Sequence, residues 1–242
     1  MEHTHNKKDI INKLQQKVLS MQGFKTAIES TGVGLGAIEA AFPNGVFPKA
    51  AIHEFIIAQP EHAAACAGFL AGILKNIKDS NAVFLWISSS RKLFPAALKV
   101  YGVEPDQVIF IDLALEKDVL WVMEEALKCK EIAAVVAELK TLSFAQSRRL
   151  QLAIEKSKVC GFVLRTDANQ VVTTACVARW RISPMVSEQL DGLPGLGFPC
   201  WNVELLRVRN GNPGSWKLTW MDGKFQLIDQ AHMEYTAKLK TG

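Results

Sequence analysis

Apolar residues in the central part of the chain alternate between short continuous runs and longer amphipathic segments. Continuous runs such as 83–87 and 133–137 are typical of strands that are buried on both faces of a sheet. The pattern predicts strands at 51–57, 82–87, 107–111, 132–138 and 159–164, and helices at 61–77, 92–101, 117–128 and 144–158. This alternation predicts an α/β domain with a mostly parallel central sheet flanked by helices.

Beyond residue 170 the pattern contains strands only. Strands are predicted at 171–182, 200–209, 215–220 and 224–228, with turn-forming residues at 210–214 and 222–223. The intervening segment 183–199 is rich in Gly and Pro and is interpreted as a long loop. We therefore expect a C-terminal antiparallel β extension of the same sheet, or a small β appendage, followed by a polar tail.

An apolar stripe precedes the α/β pattern. Its members follow a 3-4-3 spacing, which predicts one face of an amphipathic helix: Ile11, Leu14, Val18 and Met21. Such a face packs on its own domain or docks on a neighbour, and self-association through it is one expectation. The predicted organisation is a docking or oligomerisation segment at 1–29, an α/β core at 30–170, and a β extension with tail at 171–242.

Composition narrows the possible functions. The 242 residues are 49% hydrophobic and 21% charged, as in a globular protein rather than a disordered one. The longest uncharged apolar run, 63–74, is well short of the ~18 residues of a membrane span, and the polar start predicts no secretory signal. The cysteines at 66, 129, 160, 176 and 200 match no zinc spacing. We expect a cytoplasmic protein with free thiols, no metal and no membrane contact.

Charge is unevenly distributed. The net charge is +4, and segment 140–181 carries eight Lys and Arg residues against Glu155 and Asp167. Arg179 and Arg181 alternate with Trp180 on a predicted strand, so both arginines share one face, which binds phosphates or is simply solvated. The candidate DNA-binding residues are Arg148, Arg149, Arg179, Arg181, Arg207, Arg209 and Lys217.

The turn after the first predicted strand is where an α/β sheet would hold a phosphate. A working phosphate loop needs glycines, a lysine and a magnesium-binding hydroxyl. Those features are missing from the degenerate loop, whose residues are Gln59, Pro60, Glu61, Ala64, Ala65 and Cys66. We therefore predict no catalytic residues, no nucleotide cofactor and no ATP hydrolysis.

Two segments resemble the core of RecA-type ATPases: 30–61, with its threonine-glycine and glycine-valine-phenylalanine-proline sequences, and 86–111. The resemblance implies a RecA-like fold and places the magnesium-handling strand acid at Glu138. The position of the catalytic glutamate falls near Ser89 or Ser90. Glu138 can alternatively be a strand-end carboxylate that hydrogen bonds to nearby groups.

From 31 through 229 the chain resembles bacterial ImuA proteins, RecA-like accessory factors of SOS-induced mutagenic DNA synthesis. The specific similarity lies in the tail, at 178–182, 201–211 and 213–220. The resemblance implies a nucleoid-associated role with an ImuB-like Y-family polymerase homologue and a DnaE-type error-prone polymerase, and RecA and single-stranded DNA as further candidate partners. The alternative is SulA, an FtsZ-binding inhibitor of cell division that also resembles a reduced RecA core but lacks the long β tail.

Overall fold

A computed structural model of the chain describes residues 10, 11, 13, 14, 17–19, 32–77, 82–90, 92–167, 172–188 and 197–228. Its strands are β1 Ile52–Ile56, β2 Val83–Ser88, β3 Val108–Asp112, β4 Ile132–Leu139, β5 Cys160–Arg165, β6 Ala178–Glu188, β7 Phe198–Val208, β8 Gly214–Met221 and β9 Lys224–Leu227. Its α-helices are α1 Pro60–Ile77, α2 Glu116–Ala126 and α3 Phe144–Ser157. Short 3-10 helices occupy Gly36–Ala41, Pro43–Gly45, Pro95–Tyr101 and Pro105–Gln107.

All the described strands belong to one sheet, in the order β3-β2-β4-β5-β1-β6-β7-β8-β9. The first six in this order are parallel, and β6 to β9 are antiparallel. The predicted fold class is therefore confirmed. Because β6 pairs directly with β1, the C-terminal strands extend the central sheet and do not form a separate appendage.

The sheet is covered on both faces. On one face α1 packs against side chains of β1, β2, β4, β5 and β6. On the opposite face α2 and α3 cover the parallel strands. The antiparallel strands also pack on α1, because Gly68 and Gly72 leave room for Tyr101, Trp220 and Phe225 to approach the helix backbone. A Cβ atom at either glycine would collide with these rings.

The tryptophans of the β extension are mainly core residues. Trp201 and Trp220 are each 3% exposed, and Trp216 is partly buried against the same core. Trp220 Nε1 also donates a hydrogen bond to the carbonyl oxygen of Val100. Their aromatic surface is therefore used for packing between the sheet, α1 and the Pro95–Tyr101 helix.

One predicted helix is shorter and of another type than expected. The segment 92–101 contains a 3-10 helix at Pro95–Tyr101 only. A residue that precedes proline is pushed out of the helical region, and Phe94 is indeed extended, with φ −86 and ψ 113. Gly102 ends the helix in the left-handed conformation at φ 80.

Three members of the N-terminal apolar stripe, Ile11, Leu14 and Val18, lie among the described residues and are helical. The described residues of segment 10–19 are helical, and Leu19 packs against Ala51 and Val177. Ile11, Leu14 and Val18 are exposed. Met21 and the tail 229–242 lie outside the described residues. No helix in the described ranges is long and apolar enough to cross a membrane.

Candidate binding cleft and arginine cluster

A cleft of about 780 Å³ opens at the carboxyl edge of the parallel strands, between α1 and the Pro95–Tyr101 helix. Most of its lining side chains are apolar; they include Ala63, Ala67, Trp86, Leu93, Phe94 and Leu98. This volume lies in the range of pockets that hold small molecules or side chains of a partner. The cleft is therefore a candidate binding site beside the β1–α1 turn.

The degenerate phosphate loop forms one wall of this cleft. Gln59, Pro60 and Ala64 line it, whereas Ala65 and Cys66 are 7% and 0% exposed and pack in the core. Burial raises the pKa of the Cys66 thiol, which stays protonated. The positions of the lysine and the hydroxyl of a phosphate loop are thus occupied by buried side chains that carry no charge.

Glu138 lies in the cleft at the end of β4. Its Oε1 atom accepts a hydrogen bond of 2.9 Å from Trp86 Nε1 on β2. Within the described residues Glu138 has no ion-pair partner. Ser89 and Ser90 line the same cleft and are exposed. The hydrogen bond from Trp86 therefore supports the interpretation of Glu138 as a strand-end carboxylate that bonds to nearby groups.

The other charged groups of the cleft lie at its rim. Lys92 and Lys140 are exposed lining residues. Glu116 accepts hydrogen bonds from the backbone N–H groups of Lys140 and Thr141, at 2.7 and 3.0 Å. Its carboxylate holds the loop after β4 in place. No group of three or more His, Cys, Asp or Glu side chains in the described ranges is placed to hold a metal ion.

A buried ion-pair network lies at the junction of the parallel and antiparallel strands. Glu54 on β1 is fully buried and accepts hydrogen bonds from Arg165, Thr174 and Arg179, at 2.6, 2.9 and 2.8 Å. Arg179 is 8% exposed and also donates to the carbonyl oxygen of Val172. The expectation of an exposed strand face is therefore wrong at Arg179.

The physical reason is the strand register. Glu54 and Arg179 are direct neighbours on β1 and β6, and the carboxylate attracts the guanidinium. Sequence reasoning missed Glu54 and Arg165. An acidic residue inside the run 51–57, which is apolar apart from His53 and Glu54, was the available signal, because a buried carboxylate requires a cation or several donors.

Arg207 and Arg209 hold the loop 172–177 against the sheet. Arg207 donates to the carbonyl oxygens of Thr174 and Cys176, at 3.0 and 3.2 Å. Arg209 donates to the carbonyl oxygen of Ala175 at 2.5 Å. Both arginines therefore have structural contacts, and the DNA-binding role predicted for them stays a prediction.

Arg148 on α3 lies close to this pair, because it directly follows Ser147, whose hydroxyl accepts a hydrogen bond from the N–H of Ala175, and the carbonyl oxygen of Ala175 binds Arg209. Burial and the positive charges of Arg207 and Arg148 lower the pKa of Arg209. The side chain of Arg148 is exposed and forms no hydrogen bond or ion pair within the described residues. A concentration of like charge of this kind attracts anions.

Each of the remaining predicted cations lies beside an acidic or polar residue. Arg149 on α3 pairs with Glu124 on α2 at 2.5 Å. Arg181 lies 3.6 Å from Glu204 on β7. Lys217 on β8 is half-buried, and its pairing partner on β7 is Asn202. Among the predicted cations, Arg148, Arg207 and Arg209 thus lie in one region of the surface.

Most of the chain is similar to proteins of one named family, although no protein-family model matches it. Proteins named "Protein ImuA" from two strains of Caulobacter vibrioides are each 32% identical over 225 residues, covering 86% of this chain and 92% of each relative. A crystal structure of the RadB recombinase superposes with a TM-score of 0.57 and 14% identity, over 83% of this chain and 100% of that chain. The structural likeness shows a RecA-like fold and nothing more specific.

Proposed function

This chain belongs to the ImuA family, and from that membership we propose that it is a non-catalytic scaffold for damage-induced, error-prone translesion DNA synthesis. The observation that carries the proposal is the cleft at the degenerate phosphate loop, which is lined mainly by apolar side chains. An apolar surface of this kind favours the binding of protein segments over the binding of nucleoside triphosphates.

The arrangement around the β1–α1 turn disfavours ATP hydrolysis. Phosphoryl transfer depends on a lysine near the phosphates, a magnesium-bound hydroxyl and a positioned acid. Ala65 and Cys66 occupy the first two positions, and Glu138 accepts a hydrogen bond from Trp86. Each missing group removes on the order of 3 kcal/mol of transition-state stabilisation. The loss of two such groups is sufficient to abolish ATP turnover.

The proposed partners are those implied by the family resemblance: an ImuB-like Y-family polymerase homologue, a DnaE-type polymerase and RecA. The proposed location is the cytoplasm, at the nucleoid. Single-stranded DNA is a further proposed ligand, and the surface of Arg148, Arg207 and Arg209 supports it best because these cations lie together. The similarity to Protein ImuA favours this role over SulA-like inhibition of cell division.

Damage-induced mutation frequency in the host bacterium tests the proposal. A deletion strain should lose most ultraviolet-induced mutations, and expression of either the wild-type chain or Glu138→Gln should restore them equally. The variant keeps a side-chain oxygen for Trp86 but removes the acid required for metal-assisted hydrolysis. Affinity capture of the tagged chain from damaged cells should recover the ImuB-like homologue.

Two results would overturn this function. Magnesium-dependent ATP turnover by the purified chain, abolished by Glu138→Gln, would show that the protein is an ATPase. Filamentous growth on overexpression, with FtsZ captured instead of the polymerase homologue, would support the division inhibitor.

A further inference from the structure

Trp121 on α2 differs from the other tryptophans of the chain in its exposure. It is 62% exposed, whereas the other five, all within the described residues, are buried or packed against the core. The residues two positions before and two positions after it are both buried. Because two positions correspond to about 200° around a helix, Trp121 faces away from the sheet. Its indole ring therefore lies on the surface, where another ring can reach it.

The neighbouring helix carries cations on the same outer surface. Glu124, one turn after Trp121, pairs with Arg149 on α3, whose side chain is 61% exposed. The hydrogen bond to Glu124 uses one of the five N–H donors of the guanidinium group, which leaves the others for an anion. Arg148 is the preceding residue and lies close to Arg209. A row of cations therefore leads from α2 across α3 to the end of β7.

The acidic residues of α2 do not prevent a nucleic-acid base from reaching the ring. Glu124 and Glu125 are each paired with a cation of this chain. Lys117, one turn before Trp121 on the same side of the helix, is exposed, and Asp118 is half-buried. The charge around the ring is therefore nearly balanced, and a base can stack there because stacking uses its π-face and not a charge.

We propose that Trp121 stacks on an unpaired base of single-stranded DNA whose phosphates lie on Arg148 and Arg149. Stacking on an exposed indole accepts every base, as a protein that binds damaged template of any sequence requires. The axes of packed helices are about 8–10 Å apart, so the ring and the arginines lie within the span of a few nucleotides. The inference rests on the proposed binding of single-stranded DNA and adds a stacking residue to it.

Fluorescence anisotropy of a labelled oligothymidylate of about 12 nucleotides, titrated with the purified full-length chain, tests the stacking. Trp121→Ala should weaken the affinity about fivefold to hundredfold, the loss expected for one stacked base. Trp121→Phe should keep most of the affinity, because a phenyl ring also stacks. In both variants the salt dependence of the affinity should stay unchanged, because stacking releases no counterions. The control is Phe94→Ala, which removes an exposed aromatic ring beside the cleft and should bind like the wild type.

A strand of abasic sites of the same length separates stacking from charge. It keeps the phosphates but has no bases, so the wild type and Trp121→Ala should bind it with equal affinity. Oligothymidylate should quench part of the tryptophan fluorescence of the wild type, and the abasic strand should not. Trp121→Phe should lose this quenching, because the other tryptophans are packed in the protein.

The inference is wrong if any of three results is obtained. The first is a Trp121→Ala variant that binds oligothymidylate as tightly as the wild type, although Arg148→Ala binds it less tightly; the proposed DNA surface then stands without a stacking ring. The second is an equal loss of affinity for the abasic strand, because a stacked base cannot cause it. The third is a wild type with no affinity for oligothymidylate. Reduced capture of the ImuB-like homologue by Trp121→Ala would then assign the ring to a protein contact and leave the scaffold role intact.

Discussion

Arg179 Nε on β6 donates a hydrogen bond of 2.8 Å to Glu54 Oε2 on β1, at the point where the two strands are in register. The same carboxylate binds Arg165 on β5. One buried charge thus links three adjacent strands and, through Thr174, the loop 172–177. The junction between the parallel and antiparallel parts of the sheet depends on this carboxylate.

Replacing Glu54 should therefore be costly. Glu54→Gln removes the buried negative charge that Arg165 and Arg179 share, and we expect the free energy of unfolding to fall by about 3–5 kcal/mol. Urea denaturation followed by circular dichroism measures this loss. The matched control is Glu204→Gln, whose partner Arg181 is partly exposed, and it should cost no more than about 1 kcal/mol. Equal small losses in both variants would contradict the structural role of Glu54.

The candidate DNA-binding arginines should separate into two groups. Arg148 is exposed and near Arg207 and Arg209, so Arg148→Ala should weaken single-stranded DNA binding and reduce the salt slope by about 0.7. Arg179→Ala should leave that slope unchanged, because its guanidinium is bound to Glu54, but should lower stability. Fluorescence anisotropy of a labelled oligonucleotide against salt measures both slopes. If Arg148→Ala leaves the salt dependence of the affinity unchanged, the surface of Arg148, Arg207 and Arg209 does not bind DNA.

Restoring the phosphate-loop residues should damage the fold without creating a nucleotide site. The side chains at 65 and 66 are almost fully buried, so the double variant Ala65→Lys/Cys66→Ser places an ammonium and a hydroxyl in the core. We expect a loss of about 3 kcal/mol or more in the free energy of unfolding. Isothermal titration calorimetry should show no binding of magnesium-ATP to the variant.

Ala64→Lys is the control at an exposed neighbour and should change the free energy of unfolding by no more than about 0.5 kcal/mol. Tight ATP binding by the double variant would show that the turn retains a phosphate-binding shape.

His53 should make the fold sensitive to acid. Its ring is stacked on Phe47 and bonded to the carbonyl oxygen of Pro48, and burial lowers the pKa of His53 from 6.5 to about 4. The unfolded chain then binds a proton that the folded chain does not bind between these two pH values. Stability from this group is therefore complete above about pH 6.5 and is lost as pH falls toward 4.

The expected loss is about 3 kcal/mol over that interval, because each pH unit between the two pKa values corresponds to about 1.4 kcal/mol. Unfolding in urea at a series of pH values measures it, and His53→Gln should flatten this part of the profile because glutamine does not titrate. Parallel profiles for the wild type and His53→Gln would show that other groups cause the acid sensitivity.

The local pattern of the chain was sufficient to predict most of the fold. Continuous apolar runs at β2 and β4 indicated strands buried on both faces, and the alternation with helices indicated a parallel sheet. The missing lysine and hydroxyl at Ala65 and Cys66 were equally visible, because a phosphate loop is a continuous segment. These features depend on residues close together in sequence.

The placement of the cations and the shape of the cleft were decided by the tertiary structure. Periodicity puts Arg179 and Arg181 on one face of β6, but it does not reveal that β1 lies beside β6 and brings Glu54, 125 residues earlier, to Arg179. The cleft likewise requires the Pro95–Tyr101 helix to pack near α1 over Trp86 and Glu138. The periodicity of the sequence shows which side of a helix or strand is apolar. The partner of a charged side chain depends instead on which strand lies next to it, and that is determined by the topology of the sheet.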